Sequence, residues 1–581
     1  MIKLFPAADE NSRQEKFKLA AILAVLYLAL TLLFASLGFL KNLDRRIQPW
    51  DSVFYYSYLT SAYFDHDLDF SNDFGRFASD GVFEFAKAPN GATINLVPVG
   101  SAILWTPLFL SAHGATLAAN ASGATLAVDG LSAIYQRWIY VGDSLYGFIG
   151  LIFTAFFLRK YVGVAGALVG CAAILWASPL THYVWPLTLS SHNASFLTAS
   201  LFLYAWSRYG LAKRTAVSAG LMVLVRYQEG LFLVPVLMLF FFDWFRSRCE
   251  PGAAEKNLRK LIEFALVFAA IVSIQPWIWK MIYGSFLNVP FADNRIHWDA
   301  LQLGGVLFSW RHGLLSWHPA LLLGLAGLLF FYRQNRRAGF VFGMMLVLAW
   351  IFNAGMTDWW ASWSFGHRRF ISCLPLFALG VGFLYEKAVK PFSKSLALSL
   401  VAVLSLWNLL FVYQYNRGLI PRGEAPSLKE VFIDKFHLPT VEKTRPLINT
   451  AYLALAANQL EYFERYTRQA YAMDPDSRLA QTLAGYMALR VGDQKLGLEV
   501  FTNWHKRDPK DFLVRWSLTE FLIRDRNYVA AAALFEKPEI ISADEPFRES
   551  IRQAIGRKAQ TTLTQRFVQL FSERLKSFLS V

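Results

Sequence analysis

The chain has 581 residues, 55% of them hydrophobic and 16% aromatic, with only 17% charged and a formal net charge of +15. Apolar runs recur at bilayer-spanning length along most of the sequence, which argues for a polytopic membrane protein and against a soluble one. The positive charge does not make a nucleic-acid surface, because Lys and Arg are spread in short clusters between apolar runs, the pattern that membrane orientation imposes.

In chain order, residues 1–17 are polar and basic and read as a cytoplasmic N-terminus. The apolar run over 18–40 has no small-residue cleavage site at its end, so it is read as a retained first span. Asp51 follows that span and opens the aromatic-rich stretch WDSVFYYSYLTSAYF, expected to be an amphipathic helix. A second acidic group, Asp65, Asp67, Asp69 and Asp73, comes next in DHDLDFSND. Carboxylates held at a membrane surface are functional candidates by default. Asp65 and Asp73, taken singly, read better as members of a solvated loop.

Residues 97–118 look like another span, but Pro98 and Pro107 interrupt the run. A crossing here would also put every later basic cluster on the wrong side. The segment is therefore expected to lie at or dip into the outer surface, leaving 41–137 as one large external loop. Further spans are expected over 138–158, 161–180, 191–207, 215–225, 230–244, 259–283, 314–332, 338–355, 370–386 and 395–414. With the first span, that makes about eleven spans, with the N-terminus inside and the C-terminal region outside. The clusters that set this orientation are Arg159/Lys160, Arg208/Lys213/Arg214, Arg246 to Lys260, Arg333/Arg336/Arg337 and Lys387/Lys390/Lys394.

Residues 215–225 are too short to cross alone, and the break that follows carries Arg226, Gln228 and Glu229 in LVRYQEG. Broken helices persist where they are buried in protein or line a wet cavity. Arg226 and Glu229 read either as a buried pair or as part of an anion site. The outward loops THYVWPLTLSSHN, FSWRHGLLSWHP and TDWWASWSFGHRRF are rich in Trp, His and Arg. An interfacial aromatic belt accounts for most of Trp185, Trp310, Trp317 and Trp359. It accounts poorly for His192, His367, Arg368 and Arg369, and basic residues on an outward loop suggest a bound anion, most simply a phosphate.

Taken in order, these features resemble the polytopic glycosyltransferases of the C superfamily, which include the protein O-mannosyltransferases and the aminoarabinose transferase of lipid A. The likeness spans about residues 18–415 and rests on QPWDSVFYY, HDLDFSND, NLVPVGSAILWTPLF, VRYQEGLFLVP and WWASWSFGHRRFISCLP. Ser52 and Val53 depart from the commoner bacterial pattern, in which an acidic residue and often His accompany the first Asp. The resemblance implies inverting transfer of a sugar from a polyprenyl-phosphate carrier to a hydroxyl acceptor on the outer side. It makes Asp51 the general base and gives Asp67 and Asp69 the task of positioning the acceptor. By charge, Arg226, Arg368 and Arg369, with Glu229, His192 and His367 beside them, are candidates for substrate binding.

That chemistry needs one carboxylate and a few cationic donors, so no cofactor is required. Asp67 and Asp69 form a D-x-D pair that is also compatible with a divalent cation. The expected partners are the carrier-linked sugar, a lipid, glycan or protein acceptor, and membrane lipids.

Residues 415–446 read as a linker, and 447–545 as two to three tetratricopeptide-like repeats, because Asp474-Pro475 recurs as Asp508-Pro509 and Phe501 as Phe535. Such repeats suit a protein partner or simply cap the membrane domain. Residues 546–581 read as an amphipathic helical tail. The expected fold class is all-α, a polytopic membrane domain followed by helical repeats, in a bacterial inner membrane. Alternative functions are an O-antigen ligase or polymerase, and a non-catalytic scaffold whose repeats recruit a partner.

Overall fold

The computed structural model describes residues 11–535 apart from 42, 44–46, 48–50, 78–86, 89, 248–251, 288–295, 389–390, 423–424 and 508–510, together with 553, 568 and 569. The tail expected over 546–581 therefore falls almost wholly outside the described residues. Among the described residues the regular structure is helical and no strand forms, only isolated bridges such as Lys87 with Thr93. The chain divides into two compact units, residues 1–416 and 417–581.

The first unit contains α1 (Asn11–Ser36), α2 (Asp51–Thr60), α3 (Ser71–Phe77), α4 (Gly100–Ala121), α5 (Ala133–Leu158), α6 (Val164–Trp176), α7 (Leu180–Tyr183), α8 (His192–Tyr209) and α9 (Lys213–Val225). After a 3-10 turn, Tyr227–Phe232, come α10 (Leu233–Arg246), α11 (Ala253–Val272), α12 (Ile274–Tyr283), α13 (Leu303–Phe308), α14 (Leu314–Trp317), α15 (Ala320–Gln334) and α16 (Arg336–Gly355). A second 3-10 turn, Arg368–Cys373, leads into α17 (Leu374–Phe383), and α18 (Pro391–Asn416) completes the unit. Eight helical segments among the described residues are long and apolar enough to cross a membrane, and α6 and α15 are shorter apolar helices. The protein is an all-α polytopic membrane protein.

The basic clusters collect at one end of the bundle. Arg159, after α5, pairs with Glu15 of α1 at 2.7 Å. Lys160 donates to the Ser207 carbonyl, and the Tyr161 ring packs edge-on against Phe331 and Phe342. Glu386, just past α17, accepts hydrogen bonds from the Gly163 and Gly166 N–H groups at 2.7 and 2.9 Å and so caps the start of α6. Glu386→Ala is expected to destabilise the fold by about 1–3 kcal/mol, because two helix-start donors lose a charged acceptor. The apparent Tm of the purified variant checks this.

The helix α4 runs without interruption through Pro107, so the predicted proline break does not form. It is one of the helices long and apolar enough to cross a membrane, and part of it packs along α5. The Tyr146 hydroxyl meets the Leu104 carbonyl, Trp105 donates to Asp143 at 2.9 Å, and His113 bonds the Tyr135 hydroxyl at 2.8 Å. Thus the middle of α4 runs antiparallel to the first half of α5, at the end opposite Glu15 and Arg159. Two expected belt residues are interior instead. Trp317 is fully buried, with its ring 4.5 Å from that of Phe411, and Trp185 donates to Thr31 at 3.0 Å. The short bundle helices leave apolar volume that large rings fill.

Around α17 the packing is backbone on backbone. A Cβ built on Gly327 would stand 1.8 Å from the Gly380 carbonyl oxygen, and one on Gly380 would stand 1.9 Å from that of Gly324. On the opposite side Gly382 meets Gly166, and Gly170 meets Ala378, at 2.4 and 2.3 Å by the same measure. Small residues let α6, α15 and α17 approach this closely.

The second unit is a run of helical hairpins: α19 (Leu438–Ala456), α20 (Leu460–Met473), α21 (Arg478–Val491), α22 (Gln494–Arg507), α23 (Phe512–Arg524) and α24 (Tyr528–Phe535). Helix starts recur every 34 residues, from 460 to 494 to 528 and from 478 to 512. Ser477 and Asp511 accept N–H bonds at equivalent helix starts. Leu438–Ala456 begins inside the stretch expected to be a linker, and Pro446 is accommodated within it.

Candidate active site

Asp51 stands in the first turn of α2. This helix is not amphipathic, as residues 52–60 are all buried. Its surroundings explain why: the Asn95 amide donates to the Phe54 carbonyl at 2.9 Å, Tyr58 donates to the Val97 carbonyl at 3.1 Å, and the Phe54 and Phe74 rings meet edge to face. The external loop wraps its own helix and leaves the Asp51 carboxylate at the open end, half exposed.

Arg368 comes from the other end of the unit and donates to Asp51 at 2.9 Å. It opens the 3-10 turn that follows the 356–367 loop, where Ala361 and Ser362 both adopt left-handed backbone, with φ of 65° and 57°. Two consecutive non-glycine residues in that region are strained, so the surroundings must hold them. Ser362 donates to Asp358 at 2.7 Å, and Arg369 reaches the same carboxylate at 2.6 Å. Burial would raise the Asp358 pKa, but the charge and hydrogen bonds of Arg369 outweigh it and leave the carboxyl below its ordinary value. His312 and His367 bond the carbonyls of Trp360 and Trp359 at 3.0 and 2.9 Å. Burial pushes both imidazoles down, to about 4 and about 3, so they are neutral supports under the loop. His367 is thus interior rather than open to the outside.

The third contributor is the break between α9 and α10. Arg226 is extended, with φ −151° and ψ 114°, and donates to His192 Nδ1 at 2.9 Å. Its Nε lies 4.0 Å from buried Glu229, which also accepts from Ser195. Arg226, Arg368 and Arg369 all lie within electrostatic reach of His192. Tyr55, one turn beyond Asp51, donates to Ser191 at 2.9 Å. Burial holds this phenol protonated, above its usual pKa, with Arg226 and Asp51 acting on it in opposite directions. Asp51, Arg226, Arg368, Arg369, His192 and Glu229 therefore belong to one cluster of a carboxylate and three guanidiniums on a buried polar base. Asp358 and Tyr55 complete it, beyond the residues expected from the sequence. An acidic residue ten to eleven positions before an Arg pair, at the start of a Trp-rich loop, was the available signal.

Asp67 and Asp69 stand at the other end of α2. With its π-helical extension Ser61–Asp65, that helix rises roughly 20 Å, so they do not share a rim with Asp51. Asp67 accepts from Ser61 at 2.9 Å and from the Asp69 N–H at 3.1 Å. Asp69 accepts from the Ser71 N–H and hydroxyl at 3.0 and 2.7 Å, capping α3. Among the described residues no group of three or more His, Cys, Asp or Glu side chains is placed to hold a metal ion, and the D-x-D pair serves the turn.

Asp73 is fully buried rather than part of a solvated loop, because Phe70 and Phe74 beside it pack inward. It accepts from Thr60 at 2.6 Å. Burial is the main cause raising its pKa from 3.8 to about 6. A carboxyl raised on folding stabilises the native state in full below about pH 4, and that contribution is lost as pH climbs to about 6. The change is of order 2–3 kcal/mol. The apparent Tm of wild type should fall over that window more than that of Asp73→Asn, and parallel profiles would refute the assignment.

No family model matches the chain, and no curated protein matches it. Among solved structures the chain is similar to the crystal structure of ArnT from Cupriavidus metallidurans in the apo state. The TM-score is 0.45 and the identity 14%, over 82% of this chain and 80% of that one. It is also similar to the archaeal oligosaccharyltransferase AglB from Archaeoglobus fulgidus in complex with an inhibitory peptide and a dolichol-phosphate. Here the TM-score is 0.42 and the identity 13%, over 79% of this chain and 60% of that one.

Proposed function

We propose that this protein is a membrane glycosyltransferase that moves a sugar from a polyprenyl-phosphate carrier to a hydroxyl acceptor, with inversion, on the external face. The observation that carries the reading is the Asp51–Arg368 pair at 2.9 Å, with Arg226 and Arg369 grouped around the same base. Phosphate oxygens and a carboxylate compete for the same guanidinium. Arrival of the carrier phosphate draws Arg368 from Asp51 and frees the carboxylate for the acceptor. Asp51 then takes the acceptor proton as that oxygen attacks the anomeric carbon. The sugar–phosphate bond breaks, its electron pair stays on the phosphate, and the arginines stabilise the charge that develops there.

The basic clusters at the Glu15 end put that end in the cytoplasm by the positive-inside rule, and the Asp51 end outside. On this reading the protein lies in the inner membrane of a bacterium with the second unit in the periplasm. Its 34-residue hairpins are tetratricopeptide-like and suit a protein partner. The test is sugar transfer by the purified protein in proteoliposomes, across a panel of polyprenyl-phosphate-linked sugars with nucleotide sugars as controls. Transfer from a carrier-linked donor supports the reading. Absence of transfer across the whole panel discards it in favour of a scaffold.

A further inference from the structure

A cavity of about 1050 Å³ lies beside the C-terminal half of α2, away from Asp51. Its walls are apolar, with Leu59 of α2, Ile103 and Phe109 of α4, and Ile278 and Ile282 of α12. The two rims differ in chemistry. On one side Leu110 of α4 and Met281 of α12 line the cavity while 45% and 66% exposed. Both belong to segments apolar enough to span a membrane, so exposed apolar side chains there face lipid tails rather than water. On the other side the turn after α2 sets Asp67 and Asp69 at the mouth, and both are exposed. The hydrogen bonds within that turn use Oδ1 of each, leaving Oδ2 to accept from a ligand.

The described lining residues include no Lys or Arg. The Lys87 ammonium lies within electrostatic reach of Asp69, so a phosphate at this mouth would meet two carboxylates against one cation and no guanidinium, whereas hydroxyls would find acceptors. The arginine cluster and this cavity thus select opposite head-group chemistry. Tyr58, on the cavity wall, is two turns beyond Asp51, and the mouth at Asp67 and Asp69 lies roughly 20 Å from Asp51 along the helix. An extended oligosaccharide head group can cover that distance.

We propose that this cavity is the acceptor subsite, and that the acceptor is a lipid with an uncharged polyhydroxyl head group whose tail enters between α4 and α12. The inference rests on the glycosyltransferase reading and names the acceptor class for it.

The test is photocrosslinking to the full-length protein in phosphatidylcholine nanodiscs, using diglucosyl diacylglycerol with a diazirine in one acyl chain. Labels are expected to concentrate on peptides covering 99–110 and 274–283. Excess unlabelled diglucosyl diacylglycerol should lower them by roughly tenfold, and the same excess of phosphatidic acid should not. Leu110→Trp, which narrows the lipid-side rim at an exposed position, should lower labelling similarly. So should Asp69→Asn, which removes the charge while keeping an acceptor for the Ser71 cap. Labelling spread evenly over all lipid-facing helices would overturn the proposal, as would polyprenyl phosphate proving the better competitor. Crosslinking needs no turnover, so the two readings fail separately. Selective labelling of a protein that transfers no sugar would sink the enzyme and leave a glycolipid site. Transfer to a soluble peptide with unselective labelling would sink the acceptor subsite alone.

Discussion

Asp51→Asn is expected to lower sugar transfer by about 10²–10⁴-fold, the usual contribution of a positioned general base. The amide keeps the size of the carboxylate and can still accept from Arg368, but it cannot take the acceptor proton. The effect should therefore fall on kcat, with binding of the carrier-linked donor kept within a small factor. A complementary change is Arg368→Met, which removes the guanidinium 2.9 Å from Asp51. That variant should weaken donor binding as well as rate, because on the proposed reading Arg368 binds the carrier phosphate. Single-turnover transfer together with donor binding separates the two. Near-normal transfer by Asp51→Asn would take the base away from this position.

Gly327→Val is expected to prevent folding of the membrane unit. The first carbon of the new side chain would lie 1.8 Å from the Gly380 carbonyl oxygen, and the obstruction is backbone rather than a flexible side chain. Relief requires α15 and α17 to separate, and α17 is held on its other side by the Gly166 and Gly170 contacts of α6. Overpacking of this kind costs several kcal/mol, a large fraction of typical stability. Yield of monodisperse protein after detergent extraction measures it. Gly343→Val, on α16 where an added Cβ meets nothing within 4 Å, is the matched control and should extract normally.

Several members of the candidate cluster stand out in residue order. Asp51 follows an uninterrupted apolar run, and Arg226 and Glu229 sit in a polar break within another, so both stand out against their local background. The 357–370 loop announces itself through Trp, His and Arg where the charge rule disfavours cations. What order could not convey is which of these residues meet. Asp51 and Arg368 are 317 positions apart, and only the packing that returns α17 to the start of the bundle brings them together.

The sequence by itself determined the class of the molecule, an all-α membrane bundle, because apolar run length and charge spacing answer to the bilayer and not to any partner within the protein. It also determined the 34-residue rhythm of the second unit, since that rhythm is local. The tertiary structure alone decided the rest. It separated Asp67 and Asp69 from Asp51, because the two ends of one buried helix cannot share a rim. It turned Asp73, His367 and Trp317 inward, because their burial depends on how the chain packs around them, against Thr60, Trp359 and Phe411 respectively. Pro107 could stay inside α4 because proline removes one backbone donor and the packing of α4 against α5 holds the rest of the helix.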